Sequence, residues 1–186
     1  MEAVVTLHTR DGRAVQVRHM RPEDADLLER MFYRLSSETR YRRFFVPLDN
    51  IDEERVHQEA RRLATIDPAM ETALLALTTE DGRDEAVAVA RFSRLTERDD
   101  CCEGSIVLRD DFQGQGLGRQ LFELLVQTAI AGGFRHMILL THSDNFGMIS
   151  LVRGLGLPFQ GRYSRGLYEI DVQLSEAHQP YFPFSG

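Results

Sequence analysis

The sequence predicts one α/β domain of the α+β kind over residues 1–174, with a tail over 175–186. Its core is a mixed central sheet, mostly antiparallel with one parallel pair, flanked by helices. Three observations carry this. Short polar turns join the apolar runs of the middle of the chain, so those strands are antiparallel neighbours. A Gly-rich loop and a helix separate two further apolar runs, 102–109 and 135–141, and such a crossover makes that pair parallel. A length of 186 residues suffices for one substantial core and is short for two domains.

Residues Val4 to Thr9 and Ala14 to Met20 alternate like strands around Asp11-Gly12, a strong short-range hairpin signal. Arg21-Pro22-Glu23-Asp24 opens a helix with proline in its first turn and acids that complement the helix dipole. Leu27, Leu28, Met31, Phe32 and Leu35 give that helix a buried stripe. Ser36 or Ser37 caps a second short helix with Tyr41, Phe44 and Phe45 on one side and Arg40, Arg42 and Arg43 mostly on another. Aromatics interleaved with basic residues suit nucleic acid, but the acidic total favours buried aromatics and solvated arginines. Asp52 to Ile66 is a charged third helix, broken by Asp67-Pro68.

Three strands follow, Glu71 to Thr79, Glu85 to Leu95 and Cys102 to Arg109. The glycine loop leads into a helix whose apolar positions Leu117, Leu121, Leu124, Leu125, Thr128 and Ala129 recur at helical spacing and which closes at Gly132-Gly133. After the strand 135–141, Ser143-Asp144-Asn145 starts a helix through Leu155, stopped by Gly156 and Pro158. Gly161 to Leu174 alternates as a strand or hairpin.

The formal charge is 22 − 29 = −7, which argues against nucleic acid as the main partner. All 22 basic residues are arginine, so the chain offers no internal lysine to acetylate. Cys101 and Cys102 are adjacent, which provides neither a disulfide framework nor metal-ligand spacing, and they are expected to be reduced thiols. No leader-like or membrane-length apolar run is present, and no metal is called for; a cytoplasmic enzyme with no membrane partner is expected.

The loop Gln113-Gly114-Gln115-Gly116-Leu117-Gly118-Arg119 lies between a strand and a helix N-terminus. The first-turn amides there have no intrahelical partner, and with the helix dipole they form an anion site. A Walker A reading needs Lys and Ser or Thr after the last glycine, where Arg119-Gln120 stand. A dinucleotide fingerprint needs G-x-G-x-x-G, but the glycines fall at 114, 116 and 118. Gln-x-x-Gly-x-Gly remains, and it resembles the acetyl-CoA pyrophosphate loop of the GCN5-related N-acetyltransferases (GNAT).

The order of elements resembles the GNAT fold over nearly the whole chain, most closely the catalytic domain of bacterial Pat-type protein lysine acetyltransferases. Three strings carry the likeness: 35–45, 109–118, and Asn145-x-x-Met-x-x-Leu151 leading to Leu155-Gly156-Leu157. The resemblance implies a parallel pair splayed around acetyl-CoA, with backbone groups of Ile106, Val107 and Leu108 on the pantetheine arm. It implies Gln113 through Arg119 on the pyrophosphate. Asn145 matches a cofactor-contacting asparagine and equally suits a helix N-cap.

Acetyl transfer needs a neutral amine, whereas a lysine of pKa near 10.4 is protonated at pH 7. A carboxylate reaching the site, directly or through one water, would serve as general base. Glu103 stands where the Pat-type enzymes carry their catalytic glutamate. The tyrosine acid of many relatives is replaced by Val152, and a thiol of pKa near 8.5 leaves tolerably without one. His142 is a strand-end histidine or a proton relay. The implied function is transfer from acetyl-CoA to a primary amine, most readily the ε-amine of a lysine-bearing protein such as a metabolic enzyme. A small-molecule amine, or a non-catalytic acyl-CoA sensor, is the alternative.

Overall fold

A computed structural model describes residues 4–164 and 166–174, so the expected tail over 175–186 lies outside the described residues. Eight strands form one sheet: β1 (Val5–His8), β2 (Ala14–His19), β3 (Glu71–Glu80), β4 (Arg83–Arg94), β5 (Cys101–Leu108), β6 (His136–Thr141), β7 (Phe159–Ser164) and β8 (Leu167–Gln173). Their spatial order is β1-β2-β3-β4-β5-β6-β8-β7. Every neighbouring pair is antiparallel except β5 and β6.

The central strands read as continuous apolar runs because both faces of the sheet are covered. In β3, Leu74 and Ala76 face the core under the long helix α4 (Leu117–Ala131), where Leu121, Phe122 and Leu125 are fully buried. Ala73, Leu75 and Leu77 alternate to the other face, joining Met31, Leu35 and Ala64 of a second core. That second face is covered by α1 (Ala25–Tyr33) and α3 (Glu53–Ala64), with α2 (Ser37–Phe44) reaching β5. A short 3-10 turn, Pro22–Asp24, precedes α1.

The sequence places these elements to within a few residues, and one expectation changes. Of the strand or hairpin expected over Gly161–Leu174 the structure has the hairpin, beginning at Phe159, with its second strand paired with β6. The aromatics of α2 are not buried: the helix has no buried residue, and Tyr41 is 44% exposed. The helix rests over the edge of the cleft described below instead of on the core, and the sequence cannot show which face meets a cavity.

One buried charge is conspicuous. The Arg109 side chain is 1% exposed and lies between Glu80 (2.5 Å) and Asp111 (2.6 Å), over the Phe112 ring. Arg34 also pairs with Glu80. Burial alone would lower the Arg109 pKa, but its two carboxylates outweigh this and raise it. The Arg109 bonds in turn hold Glu80 below its ordinary 4.5 and Asp111 below 3.8. Groups with depressed folded pKa values stabilise the fold above their unfolded values, and that contribution disappears as pH falls through the folded values, here below about pH 4. Replacing both carboxylates by amides (Glu80→Gln with Asp111→Asn) leaves Arg109 buried and uncompensated. Urea denaturation at pH 7 is expected to show a loss of about 3–5 kcal/mol, with the remaining stability less sensitive to acid between pH 5 and 3.

Cys101 and Cys102 are free and buried on β5, and burial, with Cys101 adjacent, pushes the Cys102 thiol up to about 12. Cys102 should therefore resist iodoacetamide at pH 8 in the folded protein and react once urea unfolds it, as mass spectrometry of the peptide would show.

Candidate active site

The parallel pairing of β5 and β6 is short: it runs from Cys101↔His136 to Gly104↔Leu139 and stops. Beyond it β5 stays with β4 as far as Leu108↔Ala88, while β6 stays with β8 as far as Thr141↔Tyr168. The two strands therefore splay after Gly104. A Cβ on Gly104 would lie 2.6 Å from Met137 Sδ, so the absence of a side chain lets the strands approach just before they part.

The Arg109 N–H bonds the Val87 carbonyl on β4, and main-chain groups along a strand alternate in direction. Ile106 and Leu108 consequently aim their backbone groups at the gap, and the Leu108 carbonyl accepts from Gln113 Nε2 (3.1 Å). Val107 has its main chain toward β4, which corrects the expectation that all three backbones face the gap; it contributes its side chain to the wall.

At the open end of the splay a 3-10 turn (Asp110–Phe112) leads to the glycine loop. Gly114 and Gly116 adopt φ of +69° and +81°, a left-handed conformation that glycine takes without steric cost. Gly116 is the N-cap of α4 and no side chain caps it; the first helical bond is Gln120 N–H to the Gly116 carbonyl (3.4 Å). The amides of Leu117, Gly118 and Arg119 thus lie at the positive end of a 15-residue helix without intrahelical acceptors. Contacts invisible in the sequence hold this loop. The Arg10 N–H bonds the Gln115 carbonyl (2.9 Å), Arg10 Nη1 reaches the Gly114 carbonyl (3.4 Å), and Gln120 Nε2 bonds the His8 carbonyl (2.9 Å).

Splay and loop form one cleft of about 790 Å³. Of the residues singled out from the sequence, it brings together Glu103, Ile106, Val107, Leu108, Gln113, Gly114, Gly116, Gly118, Arg119 and Asn145. It does not include Gln115, whose carbonyl is tied to Arg10, or Leu117, whose side chain is wholly buried. Gln113 Nε2 is engaged with Thr39 (3.2 Å) as well as Leu108, which makes it a strut across the cleft. Asn145 is the N-cap of α5 (Phe146–Gly154): its Oδ1 accepts from the Met148 N–H at 3.1 Å, and the residue lines the cleft. Val152 is the fully buried residue of α5, and His142 stacks on Tyr41 at 4.8 Å, with its Nε2 buried and unpartnered among the described residues.

Glu103 projects from the penultimate paired residue of β5, on the face shared with Ser105 and Val107. It is exposed in the cleft and makes no hydrogen bond or ion pair among the described residues. Two further residues escaped the sequence reading. Thr141 ends β6 on the far wall, and its buried Oγ1 has no partner among the described residues. Asp110 accepts from the Ser36 N–H (2.8 Å), Ser36 Oγ (2.7 Å) and Thr39 Oγ1 (2.7 Å), fastening the start of α2 to the loop. Burial pushes the Asp110 carboxyl up, and these bonds more than offset it, holding it below 3.8. Such a fastening across 74 residues has no local signal, although Asp110 lies in one of the strings that prompted the resemblance.

The arrangement suits a long, phosphorylated thioester. The main-chain groups that Ile106 and Leu108 turn to the gap match an amide-bearing arm, the Thr141 hydroxyl, without a partner among the described residues, offers it another bond, and the helix terminus suits a pyrophosphate. Comparison with known proteins agrees. A model of the acetyltransferase (GNAT) family matches residues 29–157, and the chain belongs to that family. These enzymes are acetyl-CoA-dependent acetyltransferases acting on an acceptor amine. The chain is 33% identical to Acetyltransferase PA5475 of Pseudomonas aeruginosa over 146 residues, 78% of this chain and 76% of that one. It is 40% identical over 60 residues to an L-methionine sulfoximine/L-methionine sulfone acetyltransferase of the same species, covering 32% and 35% of the two. Among solved structures, the GNAT domain of S. lividans PAT superposes with a TM-score of 0.77 at 25% identity, covering 92% of this chain and 97% of that one. No helix among the described residues is long and apolar enough to cross a membrane.

Proposed function

We propose that this acetyltransferase acts by direct attack of a primary amine on acetyl-CoA, with Glu103 as general base and a protein lysine ε-amine as acceptor. The observation that carries the chemistry is an exposed carboxylate, without a hydrogen bond or ion pair among the described residues, at the fork where β5 and β6 part. In this reading the amides at the start of α4 hold the pyrophosphate, and Ile106 and Leu108 align the arm so that the thioester ends beside Glu103. Asn145 would add a bond through Nδ2. One backbone amide of the gap faces the thioester oxygen as it takes on charge. Glu103 accepts the ammonium proton directly or through one water and passes it to solvent; the neutral amine attacks, the N–C bond forms, the C–S bond breaks, and the second N–H proton goes to the departing thiolate. The likeness to the S. lividans PAT domain, together with the string over 35–45, supports a lysine acceptor. Buried, unpaired cysteines suit a reducing cytoplasm.

A small-molecule acceptor is the second reading, favoured by the relative named for methionine sulfoximine and by a chamber beside the cleft. A deacetylase-free lysate with isotopically labelled acetyl-CoA separates the two. Labelled acetyl-lysine on a limited set of proteins, abolished by Glu103→Gln, is the result expected for a lysine acceptor. Because the chain contains no lysine, none of that signal comes from the enzyme. Absence of labelled lysine alongside labelled small amides would contradict it.

A further inference from the structure

The second cavity, about 720 Å³, lies between α1, α3 and the sheet face that carries Glu103. That is the size of a small-molecule pocket, typically ~300–1,000 Å³. Its wall is largely apolar, with Met20, Leu28, Met31, Phe44, Leu48 and Val56 among its residues. Arg43, Arg62, Leu63, Arg91 and Val107 border both this chamber and the acetyl-CoA cleft, so the two meet at an arginine-lined passage.

Most charges around the passage are answered. Arg62 pairs with Glu59 (2.8 Å) and Arg91 with Glu71 (2.6 Å). Glu29 is bonded to His57 (2.8 Å), while Asp49 and Arg55 are exposed to solvent. Arg43 differs. It is partly buried, and its guanidinium makes no hydrogen bond or ion pair among the described residues, only a contact 5.2 Å from the Phe44 ring. Burial first, then the neighbouring Arg91, pushes its pKa down to about 10, and the Glu103 charge opposes the fall. A guanidinium drawn out of water without a partner is costly, and its planar donor fork is matched best by a carboxylate.

We propose that the site takes a second class of acceptor, α-amino acids with apolar side chains: Arg43 binds the carboxylate, the chamber holds the side chain, and Glu103 faces the amine. The proposal rests on the acetyl-transfer reading for its chemistry, which is the same transfer with the α-amine as the attacking group. It rests on charge complementarity for its geometry. An amino acid carries opposite charges a few bonds apart beside an apolar body; the site presents the Glu103 carboxylate, a guanidinium with no hydrogen bond or ion pair among the described residues, and an apolar chamber that shares its border with the cleft.

The test compares L-leucine, L-methionine and L-phenylalanine with their carboxamides, which keep the amine and side chain but lose the anion. Binding to the protein preloaded with coenzyme A is read by calorimetry, and transfer by thiol release with acetyl-CoA. The acids are expected to bind and react about 10- to 100-fold better than the amides, as for a charge-assisted bond in a partly buried site. In Arg43→Gln that preference falls to near unity; in Arg43→Lys it is partly kept, and thermal melts verify that both variants fold. Equal binding of acid and amide to the wild type overturns the Arg43 assignment while leaving acetyl transfer intact. A carboxylate preference in binding with no thiol release supports the anchor and overturns the acetyl-transfer reading instead. An N-terminally blocked lysine dipeptide with free or amidated C-terminus forms the last arm. Preference for the free acid only in this peptide moves the carboxylate from a free amino acid to a peptide and overturns the amino-acid class.

Discussion

Glu103→Gln is expected to lower kcat by roughly 10²–10⁴-fold at pH 7, the usual range for loss of a general base, with the Kd of acetyl-CoA unchanged. Glu103 lies on the face of β5 toward α2 and the chamber, whereas the main-chain groups assigned to the coenzyme arm lie in the plane of the sheet. Binding and chemistry are thus carried by different atoms of one strand. The isosteric amide preserves shape and removes only proton acceptance. The pH profile supplies a second signature. Without a base, the rate follows the fraction of amine already neutral, which for a lysine of pKa near 10.4 rises tenfold per pH unit across neutrality. With Glu103 in place the ammonium can bind and lose its proton at the site, so the wild-type profile is flatter. Stopped assays of thiol release between pH 6.5 and 9 distinguish the two slopes. A Gln variant with wild-type kcat would remove Glu103 from the mechanism.

Gly116→Val is expected to act in the complementary way, raising the Kd of acetyl-CoA about 5- to 30-fold with a smaller effect on kcat. Gly116 has φ +81°, and a Cβ there has room, the nearest atoms being Arg10 Nε at 3.6 Å and Cγ at 3.7 Å. The penalty is therefore conformational. The left-handed region costs a non-glycine residue about 1–2 kcal/mol, and most for a β-branched one. Free protein relieves that strain by letting the loop leave the conformation that aims the amides of Leu117, Gly118 and Arg119; binding must restore it, so the strain appears in Kd. Isothermal titration measures it, and a Kd equal to wild type would show that the loop is not the pyrophosphate cradle.

The sequence was most legible where chemistry is local. The Gln113-to-Arg119 loop, the parallel crossover and the cap signals at Ser36 and Asn145 each depend on neighbours within a few residues. The splay at Gly104, by contrast, came from resemblance to a family, since no property of β5 alone reveals where its partner leaves. Val107 was misjudged because strand alternation sets main-chain direction, which is read from the register with β4. Arg43 was read as a solvated charge in a helix of charges; its special position depends on α3, β4 and β5 meeting around it. Arg10, Asp110 and Thr141 were missed for the same reason, as each acts on a segment remote in the chain.

The most direct test of the central claim is product analysis after incubation of the protein with acetyl-CoA labelled in the acetyl group and a mixture of lysine peptides and apolar amino acids. A labelled amide on one or both acceptor classes is expected, formed in step with thiol release and lost in Glu103→Gln. Thiol release without labelled amide, or neither product while acetyl-CoA binds the cleft, would contradict it.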